Sequence, residues 1–321
     1  MRRWGWWLAM WLTLCGAAAQ AHTVGFEVVS VPVAGDRPLQ VGVWYPADAP
    51  EKPERLGLSQ QSVAPGAPVV GQRLALVVVS HGTGGSYADH YDTAHALAEA
   101  GFVVAAVSHT GDTYDDRSRA TRMADRPAAL IRVVDYMLAD WPSHAALDPK
   151  RIGVFGFSSG GFTALAAIGG EPDFAQVGPH CAEHPAWFDC QIVRQSGGMP
   201  PLPGPVAHDP RIRAAVIAAP ALGYTFTPAG LAKVKVPIQL WRAEADTILP
   251  HPLYAEAVRL ALPKAPDYRV VPGADHFDFL PPCSPALAKA APPICGSHID
   301  RAAFHASFNA GVVTFFRQTL R

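Results

Sequence analysis

The stretch Gly156-Phe157-Ser158-Ser159-Gly160 is the only one in this 321-residue chain that sets a serine between two glycines as G-x-S-x-G. A serine hydroxyl is a poor nucleophile unless a base takes its proton and a third group holds that base. Candidates for both lie downstream. Asp246 stands in R-A-E-A-D-T, with Glu244 as the nearest rival acid, and His276 stands in G-A-D-H-F, flanked by Asp275 and Asp278. The order serine, acid, histidine suits acyl transfer through a serine nucleophile held on a strand-to-helix turn. Such chemistry also needs two backbone N–H donors for the developing oxyanion. One is expected from Ser159, the residue after the nucleophile. The other is expected from Thr83 in the glycine-rich loop His81-Gly82-Thr83-Gly84-Gly85, where missing side chains let the backbone approach a substrate.

Positioning these groups requires strands that end where the loops begin. The apolar run Leu74–Ser80 reads as a strand buried on both faces and leads into the glycine loop. Arg151–Phe157 leads into Ser158, and the helix-like Gly161–Ile168 follows it. Val236–Trp241 precedes Asp246, and Tyr268–Val271 precedes His276. Val24–Val31, Gln40–Tyr45, Phe102–Ser108 and Ala214–Ala219 complete the strand pattern. Tyr91–Ala100, Arg126–Ala139 and Asp300–Leu320 read as helices. Buried strands alternating with helices predict an α/β fold with a mostly parallel, doubly wound sheet, and loops after strand C-termini are where such sheets bind ligands. Ala47–Gly71 reads as a surface loop. Glu171–Pro210, with eight prolines and two cysteines, breaks the rhythm and is expected to be a lid or binding insertion. Tyr87, His109, Trp187 and Phe277 fall in segments expected to border the pocket.

The S-H-G-T-G-G loop, G-F-S-S-G-G elbow, A-E-A-D-T acid loop and G-A-D-H-F histidine loop together resemble the α/β-hydrolase superfamily. Within it the chain is similar to dienelactone-hydrolase-like proteins, platelet-activating-factor acetylhydrolases and cutinase-like polyesterases. The resemblance implies an α/β-hydrolase fold and cofactor-free cleavage of carboxylic esters by Ser158, Asp246 and His276, with Thr83 and Ser159 at the oxyanion. True dienelactone hydrolases use a cysteine where this chain has Ser158. The insertion is also longer than in compact polyesterases, which weighs against an open, polymer-accepting cleft. Cys283 and Cys295 resemble a disulfide found after the histidine loop of polyesterases.

Residues 1–21 read as a signal peptide: Arg2 and Arg3, a short apolar run from Trp4 to Cys15, and the cleavage pattern Ala19-Gln20-Ala21. Residues 22–321 then form a single domain, periplasmic or secreted. Cleavage leaves Cys181, Cys190, Cys283 and Cys295, an even number suited to disulfides in an oxidising compartment, with the short loops 181–190 and 283–295 the favoured pairing of three. A structural metal held by His180, Cys181, Glu183, His184 and Cys190 is the competing reading, disfavoured because Pro179 and Pro185 argue against a ligand-presenting helix. Lys and Arg total 26 against 27 Asp and Glu, so no basic balance favours nucleic acid or a strongly anionic substrate. No later segment is apolar and long enough to span a membrane. The expected partner is a small-molecule or lipid-like ester, with no cofactor and no metal. Peptidase or acyltransferase activity would use the same residues, and a non-catalytic binding protein on the same fold is a third reading. Oligomeric state is left open.

Overall fold

The computed structural model describes residues 22–202 and 204–321; the expected signal peptide 1–21 lies outside them. Among the described residues ten strands form one sheet: β1 (Thr23–Val31), β2 (Leu39–Ala47), β3 (Lys52–Leu56), β4 (Ser59–Pro65), β5 (Leu74–Ser80), β6 (Val103–Val107), β7 (Leu147–Phe157), β8 (Ile212–Ala218), β9 (Ile238–Ala243) and β10 (Asp267–Val271). The helices are α1 (Tyr91–Glu99), α2 (Asp125–Ala139), α3 (Ser159–Ala167), α4 (Val177–Glu183), α5 (Phe188–Gln195), α6 (Pro228–Leu231), α7 (Ala255–Ala261), α8 (Pro285–Ala290), α9 (Pro292–Cys295) and α10 (Arg301–Thr319).

The strand order is β10-β9-β8-β7-β5-β6-β2-β1-β4-β3. From β10 to β6 neighbouring strands run parallel, so β5, β7, β9 and β10 all end on one edge of the sheet. Alternating side chains feed two cores, as a sheet covered on both faces demands. On one face Leu76, Val78, Ile152 and Val154 pack with Leu130 and Val134 of α2 and Phe162 and Leu165 of α3. On the other, Val77, Val79, Phe155 and Phe157 pack with Leu97 of α1 and Phe308, Val312 and Phe316 of α10. Among the described residues no helix is long and apolar enough to cross a membrane.

Two expectations need correction. Ala47–Gly71 is not simply a loop: β3 and β4 pair antiparallel around Gly57, and β4 then runs parallel to β1. Leu56, Val63 and Ala64 are buried there, and Gln61 accepts a hydrogen bond from the buried Trp44 indole at 2.8 Å. Its prolines misled because Pro53 lies near the start of the edge strand β3 and Pro65 is the last residue of β4, positions where a missing donor costs little. Within Glu171–Pro210, α4 forms despite Pro179, which occupies the first helical turn, where backbone N–H groups lack intrahelical acceptors. His180 and Cys181 therefore do sit on a helix.

The turn between β7 and α3 is forced by close packing. A Cβ on Gly156 would overlap the Gly160 carbonyl, and a Cβ on Gly160 would overlap the Ser80 carbonyl. The chain therefore crosses directly over the end of β5, with Ser158 at φ 55° and ψ −118°. Non-glycine residues rarely adopt a positive φ, and the cost persists only where surrounding contacts over-determine it. Here the Ser158 amide donates to Ala218 O at 2.9 Å, and its carbonyl accepts from Gly161 at 2.8 Å and Ala221 at 2.9 Å.

Three histidines are sealed near this edge. Burial, reinforced by the nearby Arg126 charge, holds His81 and His109 well below the usual imidazole range. His90 lies edge-on to Phe155 and Phe157, and burial lowers it to about 3 against the favourable charge of Asp92, with His305 adding to the depression.

Gly160→Ala should destabilise the fold by about 2–3 kcal/mol, because the backbone at Ser80 cannot yield as a side chain could; equal urea midpoints for wild type and variant would contradict the packing. The histidines give a pH signature. Unfolding returns them to their usual value near 6.5, so their contribution is fully present above that pH and is lost as pH falls toward the folded values. Asp89, raised by burial to about 6, works in the opposite direction below that value. The three histidines outweigh Asp89, so stability should fall as pH drops from about 6 toward 5. His90→Leu should make that fall shallower; an unchanged pH dependence would refute a neutral buried His90.

Candidate active site

Ser158 caps α3 immediately after β7, Asp246 follows β9, and His276 opens a short 3-10 turn after β10. The three side chains meet although the last two lie far away in sequence. His276 Nε2 is 3.1 Å from Ser158 Oγ, and His276 Nδ1 is 2.8 Å from Asp246 Oδ2. A carboxylate can only accept, so Nδ1 carries the proton and Nε2 presents its lone pair to the serine O–H. Ser158, Asp246 and His276 are all buried, which strengthens each of these interactions relative to water.

Each member is fixed by backbone chemistry. Asp246 Oδ1 accepts the amides of Ile248 at 3.0 Å and Leu249 at 2.7 Å, so the free oxygen faces the imidazole. The rival Glu244 is exposed and instead accepts the Gly273 amide at 2.9 Å. Asp275 accepts from the His276 amide at 2.7 Å and the Thr247 amide at 2.8 Å, tying the acid loop to the histidine loop. Asp278 turns away from the ring. One of its oxygens accepts the Asp275 amide at 2.8 Å, and the other accepts from Arg301 Nε at 3.1 Å and Ser297 Oγ at 2.5 Å. Arg301 also donates to the carbonyls of Ile294 and Gly296, which clasps the Cys283–Cys295 loop beneath His276.

Thr83 and Ser159 face each other across the cleft, their hydroxyls 2.5 Å apart. Among the described residues neither backbone amide has a protein acceptor. Both residues line a pocket that opens onto Ser158. Its remaining wall is mostly apolar and comes largely from two places. Phe188, Ile192, Val193 and Met199 belong to the insertion, and Ala221, Leu222 and Leu249 to loops after β8 and β9. Leu222 reaches the pocket from a left-handed backbone, φ 51° and ψ 28°.

None of the four residues expected to border this pocket lines it. Tyr87 packs on the sheet core beside Gly42, and Phe277 lies edge-on to the far side of His276. His109 is buried under the glycine loop with Nε2 2.8 Å from Ser80 Oγ. Trp187 stacks on His184 at 4.0 Å and packs against His180 and Tyr254. The next residue, Phe188, does line the pocket, because Trp187 precedes α5 while Phe188 begins its inner face. Apolar residues at 188, 192 and 193 give the i, i+4 spacing of a helix face, a signal obscured by the surrounding prolines.

The insertion closes over the site as a stapled pair of helices. Cys181 of α4 and Cys190 of α5 form a disulfide, so the thiolates required by the competing metal reading are already used. Asp189 Oδ2 accepts from Tyr224 Oη at 3.2 Å and Tyr254 Oη at 3.0 Å, latching α5 to the main body. His180 stacks on Tyr224 at 3.7 Å, and burial lowers its pKa against the pull of Asp189.

Known proteins show the same architecture. The Dienelactone hydrolase family profile matches residues 63–185. A putative esterase, NocK, of Nocardia uniformis subsp. tsuyamanensis is 27% identical over 146 residues, covering 44% of this chain but only 38% of that relative's length. A ferulic acid esterase from Streptomyces cinnamoneus superposes with a TM-score of 0.65 at 22% identity, over 96% of this chain and 92% of its own. A dienelactone hydrolase from Anabaena variabilis superposes with a TM-score of 0.56 at 18% identity, over 94% of this chain and 100% of its own. With its parallel sheet and tight β7–α3 turn, the chain has the α/β-hydrolase fold, and its residues 63–185 are similar to the Dienelactone hydrolase family.

Proposed function

We propose that this protein is an exported serine esterase that cleaves small carboxylic esters through an acyl-enzyme. The observation that carries the proposal is the continuous relay Asp246–His276–Ser158, at 2.8 and 3.1 Å, at the mouth of an apolar pocket. His276 Nε2 takes the proton from Ser158 Oγ as that oxygen bonds to the ester carbonyl carbon. Asp246 holds the imidazole in the required tautomer and stabilises the imidazolium. The carbonyl oxygen, now negative, is held by the free amides of Thr83 and Ser159. The tetrahedral adduct collapses, the C–O bond to the alcohol breaks, and His276 returns its proton to the leaving alkoxide. A water deprotonated by His276 then attacks the acyl carbon, the bond to Ser158 Oγ breaks, and His276 returns the proton to that oxygen as the acid leaves.

The pocket favours a neutral, apolar acyl group. Among the described residues, Asp189 is the one charged side chain that lines it and no cation does. An anionic acyl group would be desolvated and repelled there. The helical lid, stapled by Cys181–Cys190 and latched by Asp189, favours a soluble monomeric ester over a polymer surface. Two disulfides, on a chain whose residues 1–21 read as a signal peptide, support export as a single domain spanning 22–321.

Ser158→Ala should lower kcat for p-nitrophenyl butyrate by at least about 10⁴-fold with the fold intact, as loss of a nucleophile does in comparable enzymes. Residual activity near wild type would overturn the assignment. In the wild type, kcat/KM for p-nitrophenyl butyrate should exceed that for p-nitrophenyl hemisuccinate by at least about tenfold, the cost expected from burying a charge beside Asp189. Equal values would contradict the neutral-acyl reading. A matched series of butyryl ester, butyramide and alcohol acceptors separates esterase from peptidase and acyltransferase use of the same residues.

A further inference from the structure

Beneath the glycine loop lies a charged pair outside the relay. Arg126, in the first turn of α2, and Asp112 are 2.5 Å apart, with side chains 4% and 2% exposed. An ion pair this dry costs desolvation free energy that an apolar pair of similar volume would avoid, so its stabilising value alone is a weak reason for it. Its remaining contacts converge on the two amides assigned to the oxyanion.

One side of the guanidinium holds the glycine loop. An Arg126 terminal N–H donates to the His81 carbonyl and lies 3.4 Å from Ser80 Oγ. Asp112, held by the other terminal nitrogen, accepts the Gly84 amide at 2.9 Å. The carbonyl at 81 and the amide at 84 are thus both pinned, which leaves the Gly82–Thr83 peptide little freedom to rotate. Arg126 Nε holds the opposite wall of the cleft. It donates to Thr163 Oγ1 at 3.1 Å, and that hydroxyl donates to the Ser159 carbonyl at 2.8 Å. The first turn of α3, which carries the Ser159 amide, is thereby tied to the same cation. The Thr83–Ser159 hydroxyl contact bridges the two walls from above.

We propose that Arg126 is a positioning residue that fixes the spacing of the Thr83 and Ser159 amides, acting through Asp112 on one wall and Thr163 on the other. It touches neither substrate nor relay. This rests on the esterase reading, because the spacing matters only if an oxyanion forms between those amides. Misplacing preorganised donors weakens transition-state binding while leaving ground-state binding largely intact.

Arg126→Met, Arg126→Lys and Thr163→Val should be compared with wild type using p-nitrophenyl butyrate. Each should also be titrated with two inhibitors of equal chain length: a trifluoromethyl ketone, which forms a serine adduct with an oxyanion, and a methyl ketone, which binds without one. Arg126→Met should lose about 10²–10³-fold in kcat, the range seen for loss of one oxyanion donor, with KM changed less than threefold. Its trifluoromethyl ketone inhibition constant should rise by the same factor while that of the methyl ketone stays constant. Arg126→Lys should recover part of both losses. Thr163→Val removes one link without stranding a charge, and should lose roughly tenfold in kcat and in trifluoromethyl ketone affinity even if Arg126→Met does not fold. A folded Arg126→Met or Thr163→Val with wild-type kcat and trifluoromethyl ketone affinity would overturn the proposal, as would equal loss of both inhibitors. If Ser158→Ala keeps wild-type activity, the esterase reading itself fails; if only that variant is inactive, the fault lies with Arg126.

Discussion

The Ser80 carbonyl occupies the space that a side chain at position 160 would need, and the Gly160 carbonyl does the same to position 156. With both positions closed to anything but glycine, β7 passes into α3 through one turn, and Ser158 takes its positive φ. That conformation lifts Oγ above the sheet edge and leaves the Ser159 amide at the start of a helix, where no intrahelical acceptor exists. The packing of β5 against β7 therefore brings the proposed nucleophile and both proposed oxyanion donors to one place. The fold and the site share one constraint.

Around this turn, each neighbouring loop is fixed by a carboxylate with a separate task. Asp246 folds its own loop with one oxygen and faces His276 with the other. Asp275 links the acid and histidine loops, and Asp278 joins Arg301 to hold the histidine loop from below. Asp112 joins Arg126 under the glycine loop, and Asp189 latches the lid. Buried carboxylates with several donors each orient loops sharply, because rotating one breaks several hydrogen bonds together.

Much of this was legible in the sequence, and the gaps have physical causes. Ser158, Asp246 and His276 could be singled out because each follows a strand whose apolar run is unmistakable, and parallel strands deliver their C-terminal loops to one edge. The two disulfides span short loops, where few pairings compete. The β3–β4 hairpin was hidden because edge strands tolerate proline and need no continuous apolar pattern. The lid helices were hidden by Pro179 and Pro185, although the first sits where a helix accepts proline and the second falls between helices. The pocket wall was misjudged at Trp187, whose ring packs on His184 while Phe188 takes the inner face. Arg126 carries no local signature, because its partners at 81, 112 and 163 come together only when the sheet forms.

The central claim is that Ser158 is activated by His276, and a fluorophosphonate probe tests it with no assumption about the natural substrate. Intact-mass and peptide mass spectrometry of the labelled protein should show one adduct per chain, located on Ser158. His276→Gln should slow labelling by at least about 10³-fold, because the hydroxyl would lose its base. Labelling at another residue, or at Ser158 with an unchanged rate in His276→Gln, would contradict the account.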